Sequence, residues 1–136
     1  MMKKIQILFT AIIFLIFTVT GCSAAQKKET NMRAAEVITA QQAKEIMEKE
    51  EDFVILDVRE QDEYRAGHIP GAILIPYTEI ESRAEEELTD KDRLILVYCR
   101  SGRRSAIAAV SLISMGYTNV KDFGGIIDWT YEVVVD

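Results

Sequence analysis

The stretch Val97-Tyr98-Cys99-Arg100-Ser101-Gly102-Arg103-Arg104-Ser105 gathers one thiol, three arginines and a glycine within a single short run. A cysteine attacks as its thiolate, and thiolate is favoured beside arginines or at a helix N-terminus, where unpaired N–H groups amount to about half a positive charge. Cys99 is therefore the candidate nucleophile, with a pKa expected below the ordinary thiol value and an anion as its natural substrate. Backbone N–H groups from Arg100 through Arg104 can converge on one point as a cradle for negative charge. Arg100, Arg103 and Arg104 add guanidinium forks suited to a sulfonate. Gly102 supplies a tight bend free of a side chain. Arg100, Ser101, Gly102, Arg103 and Arg104 are thus the substrate-binding candidates, joined by Arg59, two residues after Asp57. A strand-end cysteine or an arginine-rich loop taken singly reads as core or as solvated surface; it is their coincidence that points to chemistry.

The elements that must hold this loop can be read on either side of it. Arg93 to Tyr98 is a continuous apolar strand, and Ser105 to Met115 a helix stopped by Gly116, so Cys99 falls at a strand-to-helix junction, where open α/β sheets bind their ligands. Upstream, Glu36-Val37-Ile38 predicts a short strand, and Thr39 with Gln42 a capping box for a helix to about Glu50. Phe53 to Val58 predicts a strand buried on both faces. A short helix over Asp62 to Ala66 leads through a turn-rich segment to a strand at Ala72 to Ile75 closed by Pro76, then an acidic helix over Glu79 to Leu88. Asn119 to Phe123 predicts a last strand, after which Gly124-Gly125 turns the chain into a short helix containing Trp129. Strands alternating with helices predict an α/β domain with a mostly parallel central sheet and helices on both faces.

Several motifs in order resemble the rhodanese family: Asp57-Val58-Arg59-Glu60, then Glu63-Tyr64, then Gly67-His68-Ile69-Pro70-Gly71-Ala72, then the Cys99 loop, then Gly124-Gly125 with Trp129. The resemblance runs from about Ala35 to Trp129. It implies a rhodanese fold and a sulfurtransferase of the single-domain, thiosulfate:cyanide type, working through a persulfide on Cys99. The expected partners are a small anionic sulfur donor and a cyanide or thiol acceptor, with a protein as a further acceptor. No metal or organic cofactor is required by such chemistry. The related dual-specificity phosphatases carry an arginine six positions after the cysteine, where this chain has Ser105, so the loop favours sulfur over phosphate. Asp57, Glu60 and His68 are read as structural, since a thiolate already formed needs no base, Arg59 has the alternative of pairing with Asp57 or Glu60 to order the nearby loop, and Trp129 is read as part of the core. The alternative function is a membrane-tethered sulfur carrier or partner-binding module with little turnover of its own. A redox role is weaker, for want of a second cysteine nearby to resolve an oxidised thiol.

The N-terminus carries an address. Lys3-Lys4, an apolar run from Ile5 to Val19 and the small residues Thr20-Gly21 have the layout of a secretory signal peptide, and Val19-Thr20-Gly21-Cys22 resembles a bacterial lipobox. The expected division is a lipoprotein signal peptide at 1–21, a lipidated Cys22 with a polar flexible tether at 22–34, and a globular domain at 35–136. An uncleaved anchor helix is the competing reading. Either places the domain in the cell envelope, outside the cytoplasm. With Cys22 lipidated, Cys99 is the only thiol left and no intramolecular disulfide forms. The net charge of −6 disfavours nucleic acid as a partner.

Overall fold

The computed structural model describes residues 34–136. The expected signal peptide, Cys22 and the tether up to residue 33 lie outside the described residues.

Five parallel strands form one sheet in the order β1-β5-β4-β2-β3. They are β1 (Glu36–Val37), β2 (Phe53–Asp57), β3 (Ile73–Leu74), β4 (Leu94–Cys99) and β5 (Val120–Gly125). Between them run α1 (Ala40–Lys49), α2 (Gln61–Ala66), α3 (Ile80–Glu87) and α4 (Arg103–Ser114). The predicted capping box starts α1: Gln42 N–H donates to the Thr39 hydroxyl at 3.1 Å, and Thr39 N–H to the Gln42 side chain at 2.8 Å. Among the described residues no helix is long and apolar enough to cross a membrane.

The side-chain alternation of β4 divides the core. Ile95, Val97 and Cys99 join Leu56, Val58, Ile80, Ala84, Ala108 and Leu112 on the face covered by α3 and α4. Leu96 and Tyr98 join Ile55, Ala43, Phe123 and Trp129 on the face covered by α1. A period of two is the pleat of a strand, so the continuous apolar run read from the sequence is two half-cores interleaved.

The topology selects one end of the sheet. After β2 the chain leaves toward β3, and after β4 it leaves the opposite way toward β5, so the loops following these adjacent strands diverge at their carboxyl ends. Such a switch point is an open crevice, and Cys99 ends one of its two strands.

Most boundaries fall within a residue of the sequence reading, and two differ by more. Helix α4 begins at Arg103, two residues early, because Gly102 takes the N-cap position with φ +101° and its carbonyl accepts from Ala106 N–H. Strand β5 continues through Gly124-Gly125 in place of a turn, because Gly125 pairs with Cys99 across the sheet. A single 3₁₀ turn over Ile126–Asp128 follows, and Trp129 lies just beyond it.

Candidate active site

Cys99 closes β4 with its side chain on the α4 face and only 1 % exposed. The chain then folds back over the sulfur. Gly102 sits in the left-handed region, at φ +101°, and from there its N–H donates to Cys99 Sγ at 3.0 Å. That backbone conformation strains any residue with a Cβ, which is the physical need behind the glycine. Ser105, fully buried in the first turn of α4, puts its hydroxyl 3.6 Å from the same sulfur. Its oxygen also lies 3.0 Å from the Gly102 carbonyl and 3.3 Å from that of Gly124. The hydroxyl proton thus has a carbonyl to bond while Cys99 is a thiol, and the sulfur to bond once Cys99 is a thiolate.

Two opposing effects set the acidity of this thiol. Burial pushes its pKa up, while hydrogen bonds from the Ser105 hydroxyl and from the N–H groups of Ser105, Gly102 and Ser101 pull it down. The donors prevail, and Cys99 is held below the ordinary thiol value.

Strand β5 forms the floor under the loop. A Cβ on Gly125 would stand 2.2 Å from the Arg100 carbonyl oxygen and 2.6 Å from Ser101 Cα, so only glycine lets the loop lie against the strand. The Arg100 carbonyl accepts from Ile127 N–H at 3.3 Å, which holds the loop from its far side. The β4–β5 register breaks between Val97 and Cys99, where this packing begins.

The arginines divide into three situations. Arg100 and Arg103 are exposed. Arg104 is gripped by Glu63 of α2, Nη1 to Oε2 at 2.6 Å and Nη2 to Oε1 at 2.8 Å. This bidentate bond draws the Glu63 carboxyl down to about 2 and raises Arg104 above the usual guanidinium range. Arg104 therefore braces the loop from the side. Arg59 corrects the sequence reading: the structure does not bring it to Cys99. Asp57 is paired in register with Tyr98, so both side chains lie on the sheet face opposite Cys99. Asp57 captures Arg59 there, with Nε at 3.0 Å from each carboxylate oxygen and Nη2 at 2.6 Å from Oδ2. Nη2 also donates to the Gly67 carbonyl at 2.7 Å. Arg59 is 5 % exposed, and its role is to neutralise a buried carboxylate.

His68 is buried and stacked on Tyr64 at 3.7 Å between centroids, with Nδ1 2.9 Å from the Tyr64 carbonyl, as a structural residue would be. Trp129 packs against Phe123 in the core.

The sequence reading missed Ser105, Glu63 and Gly125 as parts of the site. Ser105 carried a usable signal, since it follows the bend at Gly102 by three residues, the spacing of a first-turn hydroxyl. Glu63 and Gly125 reach the loop only through tertiary packing.

Comparison with known proteins agrees with this geometry. The family model described as Rhodanese-like domain matches residues 39–132. The protein named Putative sulfur carrier protein YrkF, of Bacillus subtilis, is 40 % identical over 94 residues, spanning 68 % of this chain and 50 % of that one. Thiosulfate sulfurtransferase PspE of Escherichia coli is 41 % identical over 73 residues, 54 % of this chain and 70 % of its own length. The chain thus spans about half of one of these relatives and somewhat more than two thirds of the other. Among solved structures, the crystal structure of the Alr3790 protein from Anabaena superposes with a TM-score of 0.67 at 32 % identity, over 72 % of this chain and 91 % of that one. A structure described as "rhodanese with anions from E. coli" does so with a TM-score of 0.58 at 37 % identity, over 61 % and 98 %. The family model takes in every element from α1 to the 3₁₀ turn after β5, the cradled thiol included, and the chain belongs to the rhodanese-like domain family.

Proposed function

We propose that this chain is a sulfurtransferase that carries sulfane sulfur as a persulfide on Cys99. The observation that carries the reading is a single buried sulfur facing several hydrogen-bond donors at the mouth of a helix, with its pKa held down against burial. A donor of the thiosulfate type fits this site: the Cys99 thiolate attacks the outer sulfur, a Cys99 S–S bond forms, and the donor's S–S bond breaks with sulfite leaving on the electron pair. The persulfide anion takes up the loop N–H groups that the thiolate held. An acceptor then attacks the outer sulfur and Cys99 leaves as thiolate; with cyanide the product is thiocyanate. The name of the E. coli relative and the anions that accompany the E. coli rhodanese in its structure support an anionic donor. The reading as a carrier of low turnover draws support from the name of the Bacillus relative.

We further propose that the domain works in the cell envelope, tethered through Cys22; the support for this is the sequence pattern at 19–22 alone.

The deciding experiment uses the full chain in mild detergent. Thiosulfate should add one sulfur to the intact mass, and cyanide should remove it with formation of thiocyanate over many turnovers. Cys99→Ser should do neither while melting as a folded protein. One sulfur gained but passed on without turnover would establish the carrier, and a Cys99→Ser protein with native activity would end the proposal.

A further inference from the structure

The charges around Cys99 are arranged unlike those of the rest of the domain. Among the described residues, Lys44, Lys49, Arg59, Arg83, Lys91, Arg93, Arg104 and Lys121 each stand in ion-pair range of a carboxylate. The lysines and arginines without such a partner among them are Arg65, Arg100 and Arg103, and two of these three lie in the loop that follows Cys99. Exposed acids stand on the neighbouring elements, Glu60 and Asp62 beside Glu63 and Asp128 after Ile127, yet none is in ion-pair range of Arg100 or Arg103. In a protein of net charge −6, two exposed cations without a carboxylate partner at this loop are open to an anionic group from outside.

Apolar surface adjoins them. Ile127, 64 % exposed, is tied through its backbone to Arg100, and Ile107, 42 % exposed, stands one helical turn after Arg103. The sulfur between these features is almost wholly buried, but a persulfide carries its outer sulfur about 2.05 Å further along. A broad surface cannot follow it into the loop, whereas a slender chain carrying a thiol can.

We propose that the rim formed by Arg100, Arg103, Ile107 and Ile127 docks the sulfur acceptor, and that this acceptor is a protein presenting a cysteine on an extended acidic segment with an apolar residue beside it. The inference rests on the persulfide reading of Cys99. The acceptor thiolate attacks the outer sulfur of the Cys99 persulfide; a new S–S bond forms on the acceptor, the Cys99 S–S bond breaks, and Cys99 leaves as thiolate. No oxidant enters, because the sulfane sulfur moves with its oxidation state unchanged. Acceptor and persulfide are both negative, and the two open arginines offset their repulsion while holding the flanking acids.

The test uses the full chain in detergent, loaded with thiosulfate and freed of excess donor. Three short peptides share a Leu-Cys core flanked by glutamates, glutamines or lysines, and transfer in a single turnover is read as peptide persulfide by mass. At low salt the glutamate peptide should be the faster acceptor over the glutamine peptide by about tenfold, an advantage that about 0.5 M salt should erase by screening. The double variant Arg100→Glu with Arg103→Glu should transfer faster to the lysine peptide than to the glutamate peptide. Ile127→Ser should slow transfer to the glutamate peptide roughly fivefold and leave transfer to cyanide within about twofold. Equal rates for the three peptides, or the native order kept in the double variant, would overturn the inference. A native chain that takes up no sulfur overturns the persulfide reading instead. Docking is then still decided by the anisotropy of a labelled glutamate peptide, its cysteine replaced by serine, binding to the native chain and not to the double variant.

Discussion

Glu63 holds both terminal nitrogens of Arg104, at 2.6 and 2.8 Å, and so ties α2 to the first turn of α4 at the edge of the Cys99 loop. The carboxyl is drawn down to about 2, so the folded state favours its ionised form. The stability linked to it is fully present above the ordinary glutamate range, near 4.5, and is lost as pH falls toward 2. Glu63→Gln should therefore destabilise the domain by about 1 kcal/mol at pH 7, seen as a melting temperature lower by roughly 4–8 °C. That gap should narrow as the pH is lowered from 4.5 to 3. Thermal melts of both proteins across this range check it, and a gap independent of pH would refute the assignment.

Ser105 supplies the side-chain donor to the Cys99 thiolate. Ser105→Ala removes it and leaves Cys99 with its burial and the backbone N–H groups, so the thiol pKa should rise. A hydrogen bond to a charged group contributes about 1.5 kcal/mol or more, so alkylation of Cys99 near neutral pH should slow on the order of tenfold. The measurement is the rate of iodoacetamide labelling as a function of pH. The native and variant profiles should converge at high pH, where both thiols are ionised.

Gly125 bears the loop directly. In Gly125→Ala the new methyl would stand 2.2 Å from the Arg100 carbonyl, and backbone on both sides leaves no flexible group to yield. The loop must lift, costing roughly 1–3 kcal/mol of stability and about a hundredfold in sulfur transfer. A crystal structure or a turnover assay of the variant distinguishes this from a harmless substitution.

Removing the guanidinium of Arg59 should act on folding and spare the chemistry. Arg59→Ala leaves Asp57 buried without its partner, which costs about 3–5 kcal/mol. Whatever fraction remains folded should keep its native KM for thiosulfate, because Arg59 lies across the sheet from Cys99. Chemical denaturation and steady-state kinetics together check both halves.

At the other end of the chain, Cys22→Ala should release the protein from the membrane fraction or leave its precursor unprocessed. Two acyl chains hold a protein stably where one does not, each buried methylene contributing about 0.8 kcal/mol. Fractionation and the mass of the mature N-terminus decide it. Unchanged membrane retention would point to an anchor helix at residues 5–19.

What the sequence disclosed follows the range of the interactions. The Thr39–Gln42 capping box, the bend at Gly102 and the stop at Gly116 depend on neighbours within a turn, and each was legible. The parallel sheet followed from alternation of element types, and the thiol with its arginines from one contiguous loop. The pairing of Arg59 with Asp57 was legible from their closeness in the chain, but the side of the sheet on which it lies is set by the pairing of Asp57 with Tyr98. Glu63 and Arg104 are separated by 41 residues, and the approach of Gly125 to Arg100 arises only when β5 pairs beside β4. Nothing in either segment alone announces such meetings.

Cys99 and Tyr98 are neighbours in the chain and strangers in space, one on each side of the sheet. The thiol's position is therefore a matter of odd and even. Inserting one residue within Leu94–Cys99 would exchange the sides, presenting a phenol to α4 and burying the thiol among aromatic rings, whereas inserting two would restore the arrangement. Before Cys99 the chain can change its length only by twos.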